Sequence, residues 1–264
     1  MPSTIGRGSI VVLLCALTLA AVAQEEKKPA PESEAPSLLS VLPFGIARGA
    51  TNKLVLRGKH LSDLTAIRLQ GCRSPSGLKW TAKDPAPPAK PEDKSKPAPE
   101  ESLDLTFKLP DDAPLGTNVT LVAIGPKGQS KPMLLYVAAA GKLIDEKEPN
   151  GGFKESQTIQ AGWTIAGTIS AATDVDVFKV HAKSGQKLRA ELFAGQLGSA
   201  LDGSLSVYDS KGALLGSNDD AAGRDSALDL KCPAEGDYFV VLTSVGEIPA
   251  KTTPPYLLKV VTEP

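Results

Sequence analysis

The stretch Leu103-Asp104-Leu105-Thr106-Phe107-Lys108-Leu109 places an apolar side chain at every odd position and a polar one at every even position. Successive side chains of a strand point to opposite faces, so the run predicts a strand with one core face and one wet face. The same alternation recurs upstream, where Leu54 and Leu56 alternate with Val55 and Arg57, and where Ile67 and Leu69 flank Arg68. Val119 to Ile124 and Met133 to Val137 are more evenly apolar, which predicts strands covered on both faces. Arg57-Gly58-Lys59, Pro114-Leu115-Gly116 and Pro126-Lys127-Gly128 read as the turns between these segments. Together they predict a β-sandwich over residues 37–140.

The second half, residues 145–262, repeats the style. Trp163–Ile169, Asp176–Val180, Leu188–Phe193, Leu205–Tyr208, Ala227–Leu230, Tyr238–Leu242 and Tyr256–Val261 are short apolar or alternating runs. Ser184-Gly185-Gln186, Asp209-Ser210-Lys211-Gly212 and Glu235-Gly236-Asp237 are turn clusters between them. Regular short strands without helical periodicity predict a second sandwich. The fold class is all-β.

Two segments lack the side chains for a core. Gln24 to Pro36 (QEEKKPAPESEAP) reads as a disordered linker, and residues 84–101 (DPAPPAKPEDKSKPAPEE) as a disordered insertion within the first sandwich. Loop closure costs only about 0.6 kcal/mol per doubling of length, so a small sandwich tolerates such an insertion. Ahead of the linker, Arg7, the apolar run Ile10 to Ala23 and the small-residue pattern Ala21-Val22-Ala23 form a signal peptide over residues 1–23. This predicts export to the periplasm or the extracellular space, with no membrane span once the signal is cleaved.

Charge is balanced at 29 Lys and Arg against 30 Asp and Glu, a net −1, so nothing points to nucleic acid as a partner. Only Cys72 and Cys232 lie beyond the signal peptide, one per sandwich. Two separate buried thiols are expected, the alternative being a disulfide that clamps the two halves.

Two resemblances follow from residues already quoted and their neighbours. Pro43-Phe44-Gly45, Arg48-Gly49, Leu54-Val55-Leu56-Arg57-Gly58 and Leu61 resemble the opening of an IPT/TIG-type immunoglobulin-like domain. Leu109 to Gly116 and Gly128-Gln129-Ser130 resemble its closing half. The second half resembles the bacterial pre-peptidase C-terminal domain family. It carries Glu146-x-Glu148-Pro149-Asn150, Gly167-x-Ile169, Asp174-x-Asp176-x-Phe178 and Gly185-Gln186-x-Leu188. Leu201-Asp202 with Leu205-x-Val207-Tyr208-Asp209-x-x-Gly212, then Asn218-Asp219-Asp220 and Gly236-Asp237-Tyr238, complete the series. The resemblances imply an immunoglobulin-like sandwich followed by a jelly-roll-like one, in an exported protein.

The acidic residues of the second half form the candidate site. Asp174, Asp176, Phe178 and Val180 share a strand face, and Phe178 and Val180 are natural core residues. A carboxylate in phase with a core must be compensated, and a calcium ion, which takes 6–8 oxygen ligands, would do it. In collagen-binding domains of clostridial collagenases, related to this family, a lead-in segment of this kind joins later aspartates in holding calcium. The resemblance therefore implies Glu146, Glu148, Asn150, Asp174 and Asp176 as structural calcium ligands. The other reading is turn chemistry, with Asp174 closing the turn before its strand and the glutamates solvated.

Catalytic signatures are lacking: no HExxH, no GxSxG, no phosphate-cradling glycine loop, and only His60 and His181, both expected at the surface. Of the aromatics, Trp163, Tyr208, Phe239 and Tyr256 are expected to pack, while Trp80 beside the insertion is the one that stands apart. The expected function is non-catalytic: a binding, adhesion-type or structural module of the cell envelope with a protein or polysaccharide partner. The alternative is an accessory subunit of a separate secreted hydrolase.

Overall fold

A computed structural model describes residues 35–83, 100–221, 223–248 and 253–264. The predicted signal peptide lies outside the described residues, as do 24–34 of the predicted linker and 84–99 of the predicted insertion. The described chain is nearly all strand, and its one helical element is the 3-10 turn Gly195–Leu197.

The first half contributes β1 (Ser37–Leu42), β2 (Gly45–Ala47), β3 (Thr51–Lys59), β4 (Ala66–Gln70), β5 (Ser76–Lys83), β6 (Glu101–Lys108), β7 (Gly116–Gly125), β8 (Gly128–Gln129) and β9 (Met133–Ala138). One sheet runs β1-β3-β6-β5; the other runs β2-β9-β7-β4, with β8 hairpinned onto β7. The alternation in β6 is realised as read, with Leu103, Leu105 and Phe107 facing inward against Leu54 and Leu56 of β3 and, from the opposite sheet, Val119, Leu121 and Leu135. Each such side chain contributes about 1.5–3 kcal/mol on burial.

Two details differ from expectation. Gly58 lies inside β3 rather than in a turn. A Cβ there would sit 1.9 Å from the Ser37 carbonyl oxygen, so glycine is needed where β1 crosses. Glu101 belongs to β6, not to the insertion, and its carboxylate accepts the Leu61 and Ser62 amides at 2.7 and 2.6 Å.

The second half contributes β10 (Leu143–Asp145), β11 (Gln157–Ile159), β12 (Trp163–Thr168), β13 (Val175–Ala182), β14 (Lys187–Phe193), β15 (Gly203–Asp209), β16 (Leu214–Asn218), β17 (Ala227–Lys231), β18 (Gly236–Ser244) and β19 (Pro255–Glu263). The sheets run β10-β12-β19-β14-β17 and β11-β13-β18-β15-β16. Each begins with a three-residue edge strand paired in parallel, β10 on β12 and β11 on β13. Ile165, Leu188, Leu258 and Val260 of one sheet meet Phe178, Val180, Leu205 and Val240 of the other in a single core.

Residues 34–264 form one compact unit. Phe44, Tyr136 and Ala138 of the first sandwich pack with Leu197 and Leu257 of the second, joined by Phe193 and Leu143. The Tyr136 and Phe193 rings lie 4.8 Å apart. This contact explains the evenly apolar β9: its second face is covered by the other sandwich. Cys72 and Cys232 are separate free thiols; Cys232 is buried as expected, but Cys72 is only half-buried.

Candidate functional site

The segment after β10 leads Glu146, Glu148 and Asn150 along the edge of the second sandwich, from β12 of one sheet to β13 of the other. Two backbone bonds tie it down: the Glu146 amide donates to the Ala166 carbonyl at 2.9 Å, and the Val177 amide donates to the Asn150 carbonyl at 3.0 Å. Asp176 enters from β13 and, like Asn150, has no exposed surface. It shares the core face with Phe178 and Val180, as the period-two pattern requires.

Tyr256 of β19 completes the cluster. Its hydroxyl lies 2.7 Å from Glu146 Oε1 and 2.7 Å from Asp176 Oδ2. A phenol has one proton to donate, so two carboxylate oxygens at that distance call for a second proton or a cation beside them. Asn150 Nδ2 also donates to Glu146 Oε1 at 3.0 Å, and the Thr168 amide donates to Glu146 Oε2 at 2.9 Å. Glu148 Oε2 accepts the Asn150 amide at 3.0 Å. Gly167, opposite Tyr256 in the β12–β19 register, makes room. A Cβ there would lie 2.4 Å from the phenol oxygen and 2.7 Å from Glu146 Oε2.

Burial pushes the Asp176 carboxyl up to about 9, against the hydrogen bond from Tyr256, with the negative charge of Glu146 adding to the rise. Burial also raises the Tyr256 hydroxyl well above its ordinary value, and the charges of Asp176 and Glu146 act the same way. Among the described residues, two buried side-chain oxygens have no hydrogen-bond partner, Asp176 Oδ1 and Asn150 Oδ1. Leaving a buried polar atom unmet costs about 1–3 kcal/mol. One oxygen each of Glu146, Glu148 and Asp176 lies within 4.8 Å of the others. All donors are oxygens, which suits a hard divalent cation rather than a soft one.

Of the five residues singled out from sequence, Glu146, Glu148, Asn150 and Asp176 converge. Asp174 stands apart: its Oδ2 accepts the Ser170 amide at 2.6 Å and the Ser170 hydroxyl at 2.7 Å, and its Oδ1 accepts the Val175 amide at 3.0 Å. That is the turn role the second reading allowed. Asn218 likewise closes a loop, its Oδ1 accepting the Ala227 amide at 3.2 Å. His181 is exposed, with Nδ1 3.1 Å from Asp237 Oδ1.

Sequence reasoning missed Tyr256 as a site residue and placed it among packing aromatics. The available signal was its hydroxyl, since a tyrosine in phase with a strand core must find a partner. Trp163 packs against the core of the second sandwich as expected and also lines a groove of about 640 Å³ beside Glu148, whereas Trp80, expected to stand apart, packs against the core of the first.

Comparison with known proteins places this geometry in context. A probable subtilase-type serine protease of Deinococcus radiodurans is 36% identical over 104 residues, 38% of this chain. The chain spans only 14% of that relative's length. The pre-peptidase C-terminal domain of a Bacillus anthracis collagenase is 14% identical over 44% of this chain and 99% of its own, with a TM-score of 0.32. The periplasmic g-type lysozyme inhibitor of Aeromonas hydrophila is 19% identical over 40% of this chain and 96% of its own, with a TM-score of 0.31. The family profile of the bacterial pre-peptidase C-terminal domain matches residues 174–244, the stretch that opens on the turn before β13 and ends with β18.

Proposed function

We propose that this chain is an exported, non-catalytic binding protein of the cell envelope, in which calcium fixes the lead-in segment 146–150 to the second sandwich. The observation that carries the calcium reading is the pair of unpartnered buried oxygens, Asp176 Oδ1 and Asn150 Oδ1, beside Glu146 and Glu148. Glu146, Glu148, Asn150 and Asp176 would hold the ion. It would supply positive charge to a cluster that otherwise needs an extra proton. The role is structural, since the segment it would hold carries the chain from β10 to β11 and so closes one edge of the sandwich.

The test is thermal melting with calcium and with a chelator. A ligand at 100 times its dissociation constant stabilises by about 2.7 kcal/mol, a shift of about 5–10 °C at this size. Asp176→Asn keeps the shape of a protonated acid and removes the charge that calcium needs. The variant is expected to melt like the chelated parent and to show no calcium shift. Equal melting of the parent in both conditions would sink the proposal.

The likeness to a stretch of a subtilase-type protease favours a second reading, an accessory role beside a separate secreted peptidase. Recovery of a peptidase with the tagged chain from culture medium checks it; recovery of the chain alone counts against it.

A further inference from the structure

The two parallel edge strands β10 and β11 start the two sheets of the second sandwich, and between them lies the open groove of about 640 Å³. That volume falls in the range of small-ligand sites, about 300–1,000 Å³. A side chain ties the two walls of the groove together. Gln157 Nε2 donates to the Asp145 carbonyl at 3.0 Å, and Gln157 Oε1 accepts the Lys147 amide at 2.8 Å. The amide thus bridges the two edges as a strand pair would, which fixes the groove before any ligand arrives.

Trp163, the first residue of β12, packs against the core and lines the groove. Around it stand Asp145, Lys147, Glu155 and Thr158, with Glu148 at the end shared with the acidic cluster. Among the described residues, the side chains of Asp145, Lys147, Glu155 and Thr158 make no hydrogen bond or ion pair, nor does the indole N–H. The groove therefore presents carboxylate acceptors, an ammonium and an indole donor, and a hydroxyl that does both.

Asp145 and Glu155 outnumber Lys147, which disfavours an anion. The indole beside groups that both donate and accept fits a neutral molecule with an apolar face, and the trilysine control below stands for a cationic ligand. A pyranose ring has both properties: C–H bonds on one face and hydroxyls at its rim. We infer that this groove binds a neutral oligosaccharide, with Trp163 as the stacking platform and Asp145, Glu155 and Lys147 as hydroxyl partners. The inference rests on the binding-protein reading above and is independent of calcium, because neither Trp163 nor the three hydroxyl partners belongs to the acidic cluster.

The chain has two tryptophans, so Trp80→Phe leaves Trp163 as sole reporter. The full chain with that substitution is titrated with β-1,4-linked hexasaccharides of glucose, N-acetylglucosamine, xylose and mannose, in calcium and in chelator. Trilysine and a neutral Gly-Ser hexapeptide serve as controls. Saturable quenching by at least one hexasaccharide is expected, with affinity reduced tenfold or more in Asp145→Ala/Glu155→Ala at unchanged melting temperature. Loss of binding in Trp163→Ala, followed by calorimetry, completes the pattern. Response to a peptide only, no response to any hexasaccharide, or undiminished binding by the double variant would overturn the assignment. Sugar binding that persists in chelator, without a calcium melting shift, would defeat the calcium proposal and leave this one standing.

Discussion

Among the described residues of the first sandwich the buried polar side chains are Asn52 and Ser130, and both are used up locally. Asn52 accepts the Ala47 amide at 2.7 Å and donates to the Ala47 and Ala50 carbonyls, both at 3.0 Å. Ser130 Oγ accepts the Ala123 amide at 3.0 Å and donates to the Lys131 carbonyl at 2.9 Å. The second sandwich buries Asn150, Thr164, Asp176, Ser199, Asp225 and Ser226. Asp225 behaves like the first sandwich's polar groups, its two oxygens accepting the Ala194, Gly195 and Gln196 amides at 3.0, 2.6 and 3.1 Å. Asp176 and Asn150 do not, for each keeps one oxygen unmet. Burial of a polar group is therefore not what distinguishes the site. An aspartate whose acceptors are all filled holds a loop, and one with an acceptor left over is where the proposed ion would bind.

Three experiments press on that contrast. Phe107→Ala empties a fully buried position in the first sandwich, and about 3–5 kcal/mol of stability should go with it. Urea unfolding should give the same loss in calcium and in chelator, since no unmet oxygen lies nearby; a calcium-dependent loss would break the division between the sandwiches. Asp225→Ala strands three amides at the 3-10 turn and should cost about 3 kcal/mol, again without regard to calcium. If its cost vanished on adding calcium, Asp225 and Asp176 would be the same kind of residue after all.

The smallest effect is the most diagnostic. In chelator the Asp176 carboxyl is held up at about 9 by burial, above its unfolded value near 3.8. The folded state then keeps a proton that the unfolded state gives up. This group's contribution is complete below about pH 4 and is lost as pH rises towards 9. Between pH 6 and 7 the slope is at most about 1.4 kcal/mol per unit. Chemical denaturation in chelator at those two values should show the decline, and saturating calcium should flatten it. An unchanged slope with calcium would mean that the ion does not meet Asp176.

Much of the fold was legible because strand patterning is local. Leu103 to Leu109 could be assigned to a face from seven residues, and Asp176 could be placed in the core from its phase with Phe178 and Val180. The short edge strands β10 and β11 were not assigned, since three residues carry too little periodicity to read. Gly58 misled because a glycine that admits a neighbouring strand looks, in sequence, like one that makes a turn.

What the sequence determined by itself was the layering: which side chains face inward, where strands turn, and that an acidic residue falls among core positions. Tertiary structure alone decided which oxygens meet. Glu146 reaches the Thr168 amide across 22 positions, Asp176 reaches Tyr256 across 80, and Glu146 reaches Tyr256 across 110. Side-chain phase is fixed by the backbone within a few residues, whereas convergence depends on strand order and register, which pair segments that have no local reason to be neighbours. The same holds for Trp163, which packs against the core as its pattern reads, while only the tertiary structure opens the gap between two edge strands beside it.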